Sequence, residues 1–434
     1  MNTPLQPKPA RGWLQRLAEG PAAAWWIAGL TVLANAALVW VLWRTGYLET
    51  GTYEYDTIAR NLAAGHGFVL TPGEEKILWR PPLYVWLLAG LYRVTENPYP
   101  LAMAVQIVCQ AVAGVLVFRI GRSVFNARAG LLAALGLAVY PLFAVNCVRL
   151  MPESLFAALV AAITLVLANG SARRQTPWTV WAGAGVLMGL AALLKASIQF
   201  LPFFLLVAAP ALFRRTVPPA STVRRFLIAA GVMALVIAPW TVRNYRVAGE
   251  CIPIDTSGGY TFWVGNRLET RGLDDDPLPP RKIEELNRDV ARILAVPYTS
   301  EFSVAKTAWA SGRNSRKLYV EGIRAVLRRP FRWAALAGVK IYRLWFSYIG
   351  VQPRVQTAVL LLQAPLLVCA GWGLCCALRR RKPVWPVILP VVYFHLLHAA
   401  STANARYSVP LMPHALILAA FALDRLLARG ETPS

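Results

Sequence analysis

The chain is short of acid. Of its 434 residues, 21 are Asp or Glu against 45 Lys or Arg, and charged residues make up 15% of the total. Soluble domains carry roughly 25% charged residues. Metal ligands are scarce as well. The four histidines are His66, His395, His398 and His414, and the six cysteines are Cys109, Cys147, Cys251, Cys369, Cys375 and Cys376. None of them has metal-ligand spacing, so neither a zinc site nor a disulfide framework is implied. There is no internal repeat and no stretch that reads as a separate soluble domain. Residues 1–434 are expected to form one unit.

What is present is apolar sequence. Hydrophobic residues reach 57% and the mean hydropathy is +0.46. A spanning helix takes about 20 apolar residues. Spans are expected near 23–43, 100–118, 129–146, 150–168, 178–194, 197–213, 226–242, 356–378, 384–400 and 408–424. The fold class is therefore all-α and integral to the membrane, with about ten transmembrane helices. Segment 82–94 is too short to cross and opens on Pro81-Pro82, so it is expected to lie at the interface.

A net charge of +24 would by itself suit nucleic acid. The cations instead sit in short clusters between apolar runs, which is a topology signal, and no nucleic-acid partner is expected. The N-terminal tail carries Lys8, Arg11 and Arg16, and the loops with Arg122 and Arg128, with Arg173 and Arg174, and with Arg214, Arg215, Arg224 and Arg225 hold no acid. Placing these inside keeps Arg379-Arg380-Arg381-Lys382 inside too, provided that 331–350 is interfacial. Both termini are then cytoplasmic. Two large loops, roughly 44–99 and 243–355, face outward, and the second holds Asp274-Asp275-Asp276.

The span interiors are almost free of ionisable side chains, unlike those of ion-coupled transporters, which keep such groups near the midplane. Charges collect at the outer ends. Glu54, Asp56, Arg60 and Arg80 lie in the first loop; Arg149 and Glu153 flank the turn after the third span. Lys195 follows the fifth span, Arg243 and Arg246 begin the second loop, and Arg406 precedes the last span. Cations on the outside run against the topology bias. A phosphate at the outer leaflet would explain them, since Arg and Lys hold phosphate by charge-assisted hydrogen bonds. Acids beside a phosphodiester suggest glycosyl transfer. A carboxylate takes the proton of the attacking hydroxyl, and cations stabilise the departing phosphate. A single displacement of this kind inverts the anomeric carbon.

Five blocks carry a resemblance. They are Tyr53-Glu54-Tyr55-Asp56 through Gly65-His66-Gly67-Phe68; Arg80-Pro81-Pro82-Leu83-Tyr84; Leu150-Met151-Pro152-Glu153; Pro239-Trp240-Thr241-Val242-Arg243-Asn244 with Gly258-Gly259-Tyr260; and Ala405-Arg406-Tyr407. In this order they resemble bacterial members of the GT-C superfamily, closest to the protein-mannosyltransferase and aminoarabinose-transferase-like enzymes, including those of rhizobial lipopolysaccharide cores. The resemblance implies an inverting transferase in the bacterial inner membrane with its site toward the periplasm. Its donor would be a polyprenyl-phosphate-linked hexose or pentose, and its acceptor a lipid, glycan or protein. Membrane lipids are its surroundings, and a divalent metal stays open as a cofactor. The essential acid of the family aligns with Gly51 here. Catalysis is then expected from Glu54 or Asp56, with Glu153 in the second outer turn. The donor phosphate is expected among Arg80, Lys195, Arg243, Arg406 and Tyr407. The competing readings are a flippase or transporter for a lipid-linked sugar, and a non-catalytic protein that keeps the fold.

Overall fold

The computed structural model describes residues 13–46, 54–171, 176–213, 219–267, 279–299, 307–347 and 353–430. Gly51, Tyr53 and the Asp274–Asp276 run lie outside the described residues, as do Lys8, Arg11, Arg173, Arg174, Arg214 and Arg215. Helices α1 (Trp13–Glu19) and α2 (Ala23–Arg44) precede α3 (Tyr55–Ala63) and α4 (Pro82–Tyr92) of the first loop. Then follow α5 (Pro98–Val124), α6 (Ala127–Ala138), α7 (Pro141–Val148), α8 (Glu153–Ser171), α9 (Trp178–Leu194), α10 (Leu201–Phe213) and α11 (Pro219–Ala248). The second loop holds α12 (Ser257–Gly265), α13 (Pro280–Leu294), α14 (Gly312–Arg328) and α15 (Pro330–Phe346). The chain closes with α16 (Pro353–Arg379), α17 (Trp385–Ala400), a 3-10 turn Ala405–Leu411 and α18 (Met412–Gly430).

Each of the ten expected spans falls on helix, but not each on a full-length one. Among the described residues six helices are long and apolar enough to cross a membrane, or seven if α6 and α7, bent by 41° at their junction, count as one. The shortfall has a physical cause. Helix α9 has 17 residues and α17 has 16. At 1.5 Å per residue they reach about 25 Å, less than the roughly 30 Å of a hydrocarbon core. Pro141 at the start of α7 breaks the third span. Helix α15 carries Arg332, Lys340 and Arg343 and is not among the candidate spans.

Close helix contacts rest on small residues. A Cβ on Gly185 would stand 2.4 Å from the Ala229 carbonyl, and one on Gly189 would stand 2.6 Å from Val236 Cβ. This four-residue glycine spacing lets α9 lie directly on α11, as in other membrane bundles. Buried amides tie the turn before α8. Gln106 Nε2 donates to the Cys147 carbonyl at 3.2 Å, and Gln110 Nε2 donates to Ser154 Oγ at 3.0 Å. At the opposite end of the bundle Asp424 accepts from Asn126 at 2.9 Å and pairs with Arg128. Large apolar side chains such as Trp25, Val207 and Leu235 stay exposed on outer faces, where lipid rather than water meets them.

The second loop has a small core of its own, formed by Tyr260, Trp263, Val264, Leu286, Val290, Leu294, Ala308 and Leu318. Lys340 of α15 fastens it to the bundle. This fully buried lysine donates to Asn266 Oδ1 at 2.8 Å and to the Ala399 carbonyl at 3.1 Å. Burial pulls its ammonium down to about 7.

Candidate active site

A cavity of about 890 Å³ lies where the first loop, the short turns and the second loop meet. Arg80, Arg149, Lys195 and Arg406 line it, together with Tyr407, Asp255 and the aromatic residues Tyr55, Trp79, Tyr260, Trp309 and Tyr319. Three of the five residues expected at the phosphate therefore contribute their charge to one space, and Tyr407 joins them.

Each cation is positioned by local chain geometry. Arg80 directly precedes Pro81, the N-cap of α4, and Pro82 at its first turn; proline fixes the entry to the helix. Glu54 Oε2 then takes Arg80 Nε at 3.2 Å and Trp79 Nε1 at 2.9 Å. Lys195 is the extended residue that ends α9, which turns its side chain back toward the N-terminus of α8. Arg406 sits in the 3-10 turn, where Asn404 Oδ1 caps its backbone N–H at 3.0 Å. Glu153 opens α8 and is fully buried. Its Oε1 lies 3.1 Å from Lys195 Nζ and 3.3 Å from Arg406 Nε. Lys195 stands 5.1 Å from the centroid of the Tyr407 ring, and that ring stacks on His398 at 4.9 Å. Desolvation lowers the pKa of Lys195, against the opposing pull of Glu153.

Two acidic positions are held by non-glycine residues in left-handed backbone. Glu54 has φ +65° and Leu150, just before the Glu153 turn, has φ +49°. Such residues cost on the order of 1–3 kcal/mol and concentrate at functional sites.

Several expected roles change with the geometry. Glu54 is the cap before α3, not a residue within it. Asp56 points away from the cavity. Its carboxylate takes Arg60 Nε at 3.2 Å, Tyr92 OH at 2.6 Å and Tyr99 OH at 3.3 Å. Helix α3 is strongly two-sided, and Asp56 falls on the side that meets α4 and α5. Arg243 also leaves the phosphate group. It lies on α11, 4.6 Å from the Trp240 ring, and Nη1 donates to the Ile77 carbonyl at 3.0 Å. It braces the first loop against the bundle instead. Among the described residues no group of three His, Cys, Asp or Glu comes together as a metal site.

Asp255 was missed by sequence reasoning. Half-buried, it lines the cavity two residues before α12, and Oδ1 accepts the Ser257 backbone N–H at 3.0 Å and the Ser257 hydroxyl at 2.8 Å. Burial pushes its carboxyl up to about 6, against the lowering effect of Ser257 and of Arg80. The available signal was an Asp-x-Ser turn just ahead of Gly258-Gly259.

An apolar groove of about 430 Å³ adjoins the cavity and shares Phe200 and Leu397 with it. Phe203, Phe204 and Val207 of α10 and Tyr393 and Leu396 of α17 form its walls.

Residues 79–242 match the family described as dolichyl-phosphate-mannose-protein mannosyltransferase, a stretch that contains Arg80, Arg149, Glu153 and Lys195. No curated protein matches the chain. Among solved structures the chain is similar to the oligosaccharyltransferase AglB from Archaeoglobus fulgidus in complex with an inhibitory peptide and a dolichol-phosphate. The TM-score is 0.55 at 14% identity over 94% of this chain and 51% of that one. The apo form of the Archaeoglobus fulgidus oligosaccharyltransferase gives 0.58 at 13% identity, over 95% and 51%. ArnT from Cupriavidus metallidurans bound to undecaprenyl phosphate also matches, at 16% identity over 92% of this chain and 78% of that one, with a TM-score of 0.40 that carries no weight. The chain spans about half the length of the oligosaccharyltransferases that it matches. It is a multi-pass membrane protein with the fold of these oligosaccharyltransferases, and its residues 79–242 match the dolichyl-phosphate-mannose-protein mannosyltransferase family.

Proposed function

We propose that the chain is an inverting glycosyltransferase which takes a sugar from a polyprenyl-phosphate donor at the non-cytoplasmic face of a bacterial inner membrane. One observation carries this reading. Four cations converge on a cavity that runs into an apolar groove between two lipid-facing helices. Four cations against the three acids Glu54, Glu153 and Asp255 leave a positive site before any ligand enters. A phosphate restores the balance, and the groove takes the polyprenyl tail. The aromatic walls of Trp79, Tyr260 and Trp309 offer flat faces to a sugar. Glu54 and Glu153 orient the cations, and Tyr407 packs over Lys195 and Arg406. Charge stabilisation of this preorganised kind is the largest single contribution in many enzymes. An acceptor that belongs to the cell envelope, such as a lipopolysaccharide core, agrees with the outward face and with the resemblance of the motif blocks.

The test uses the full-length protein in lipid nanodiscs. Polyprenyl-phosphate hexose and pentose donors should yield free polyprenyl phosphate in the presence of an envelope glycolipid fraction. Arg406→Ala should weaken binding of undecaprenyl phosphate about tenfold or more, as expected for loss of a charge-assisted contact. Arg243→Ala should leave it unchanged. Equal affinity across wild type, Arg80→Ala, Lys195→Ala and Arg406→Ala would remove the basis for this site. A protein that moves intact donor across the bilayer without cleaving it would be a flippase.

A further inference from the structure

We propose that Asp255, in the second large loop, is the general base that deprotonates the acceptor hydroxyl. The assignment rests on the glycosyltransferase reading and deepens it. Other carboxylates near the cavity are already committed. Glu54 is bound to Arg80 and Trp79, Glu153 to Lys195 and Arg406, and Asp56 to Arg60 and two tyrosines on the far side of α3. Glu153, locked between two cations that hold it in its charged form, is a poor proton acceptor. Asp255 lines the cavity, and among the described residues its hydrogen bonds fall on Oδ1 and not on Oδ2.

Its placement is fixed from three sides. Trp240 Nε1 donates to the Ile254 carbonyl at 2.8 Å, Thr241 Oγ1 donates to the Pro253 carbonyl at 2.9 Å, and Asn244 Nδ2 donates to the carbonyls of Ile252 and Ile254 at 3.1 and 3.0 Å. Thus the Pro239-Trp240-Thr241-Val242-Arg243-Asn244 block, which holds no acid, serves to pin the irregular segment that ends in Asp255. On the other side Thr256 N donates to the Leu78 carbonyl at 3.1 Å, which ties Asp255 beside Trp79 and Arg80. The Thr256 hydroxyl donates to the Trp309 carbonyl. A base held by this many backbone contacts has little freedom to lose when substrate arrives.

In the step itself, Oδ2 takes the proton of the acceptor hydroxyl while the acceptor oxygen bonds to the anomeric carbon. The bond from that carbon to the phosphate oxygen breaks, and its electron pair leaves with polyprenyl phosphate. The added negative charge falls among Arg80, Arg149, Lys195 and Arg406. The proton on Asp255 then passes to solvent.

Asp255 is surrounded by groups that stay silent in its range. Burial raises Tyr55 of α3 and takes Tyr319 of α14 up to about 12, and the charged group that faces Asp255 is Arg80. Since the base acts when ionised, turnover should rise with pH through about 6 and level off above it. His398 lines the same cavity, so the limb is assigned by substitution. The experiment compares wild type, Asp255→Asn, Ser257→Ala and Glu54→Gln in nanodiscs, reading undecaprenyl-phosphate binding and sugar transfer separately. Asp255→Asn should bind undecaprenyl phosphate like wild type, lose about 10²–10⁴-fold in turnover and lose the acidic limb. Ser257→Ala removes the hydroxyl bond to the ionised form and keeps the backbone one, so its limb should move to higher pH with the plateau retained. Glu54→Gln should keep the limb. An active wild type with an equally active Asp255→Asn overturns the assignment alone, as does a limb that survives in Asp255→Asn. A wild type that neither binds undecaprenyl phosphate nor cleaves donor overturns the transferase reading and the base together.

Discussion

Glu153 is a carboxylate whose neighbours decide its work. It is fully buried between Lys195 and Arg406, and its Oε2 has no hydrogen-bond partner. Removing one member of a buried ion pair costs about 3–5 kcal/mol, because the remaining charges lose their compensation. Glu153→Gln is therefore expected to lower thermal stability in detergent by that order, with part of the loss recovered when undecaprenyl phosphate saturates the cations. A variant of wild-type stability that has lost all turnover would instead make Glu153 the base. At this scale the sequence was partly legible. Arg80 stood out because it stands just before the apolar interfacial run 82–94, and Lys195, Arg406 and Glu153 because each is a charge at a span end, where hydropathy is otherwise high. Arg243 stood out for the same reason, yet cation–π packing on Trp240 and a backbone carbonyl account for it. Asp56 and Arg60 lie four residues apart on α3, a spacing at which opposite charges meet on one helix face. Asp255 was obscure because no apolar run borders it and its value comes from contacts between distant segments, such as Thr256 with Leu78.

At the scale of the element, helix positions were readable from apolar runs and their lengths were not. Pro98 starts α5 close to the expected span, whereas Pro141 starts α7 inside the single span expected over 129–146. The shortness of α9 is another matter, since Lys195 ends it for the sake of the site. The glycine pair on this helix gives a direct test. A methyl at position 185 has no room beside the Ala229 carbonyl. Gly185→Ala should force α9 from α11 and destabilise the protein by about 1–3 kcal/mol, read as a lower midpoint of thermal unfolding in detergent. Because α9 delivers Lys195 to the cavity, donor affinity should fall in the same variant. Gly183→Ala, which meets nothing within 4 Å, is the matched control and should be silent.

For the whole molecule, the distribution of charge allows a test of orientation. Arg380 at the end of α16 and Arg128 at the start of α6 fall on the side read as cytoplasmic, and Arg313 of α14 on the side read as periplasmic. Single cysteines at 380 and 313 should label from opposite faces of intact cells once the native cysteines are replaced. Label at 380 from outside would mean that α15 crosses the membrane. The overall class was legible from composition, because a chain that is 57% apolar, with its hydrophobic residues gathered in long runs, is poorly solvated by water. The convergence of both large loops on one cavity was not, since it depends on tertiary contacts with no local pattern.

The shared wall at Phe200 and Leu397 has a kinetic consequence. A donor that slides in sideways between α10 and α17 never leaves the bilayer, so its effective concentration is its mole fraction among lipids rather than its amount per litre. Diluting the membrane with inert lipid at fixed total donor should slow the reaction, while diluting the vesicles in buffer should not. The spent carrier would leave through the same side opening, and the glycosylated product would leave by way of the loops. On the proposed reading, carrier that accumulates in the leaflet would compete with donor for the groove even when product is drained away.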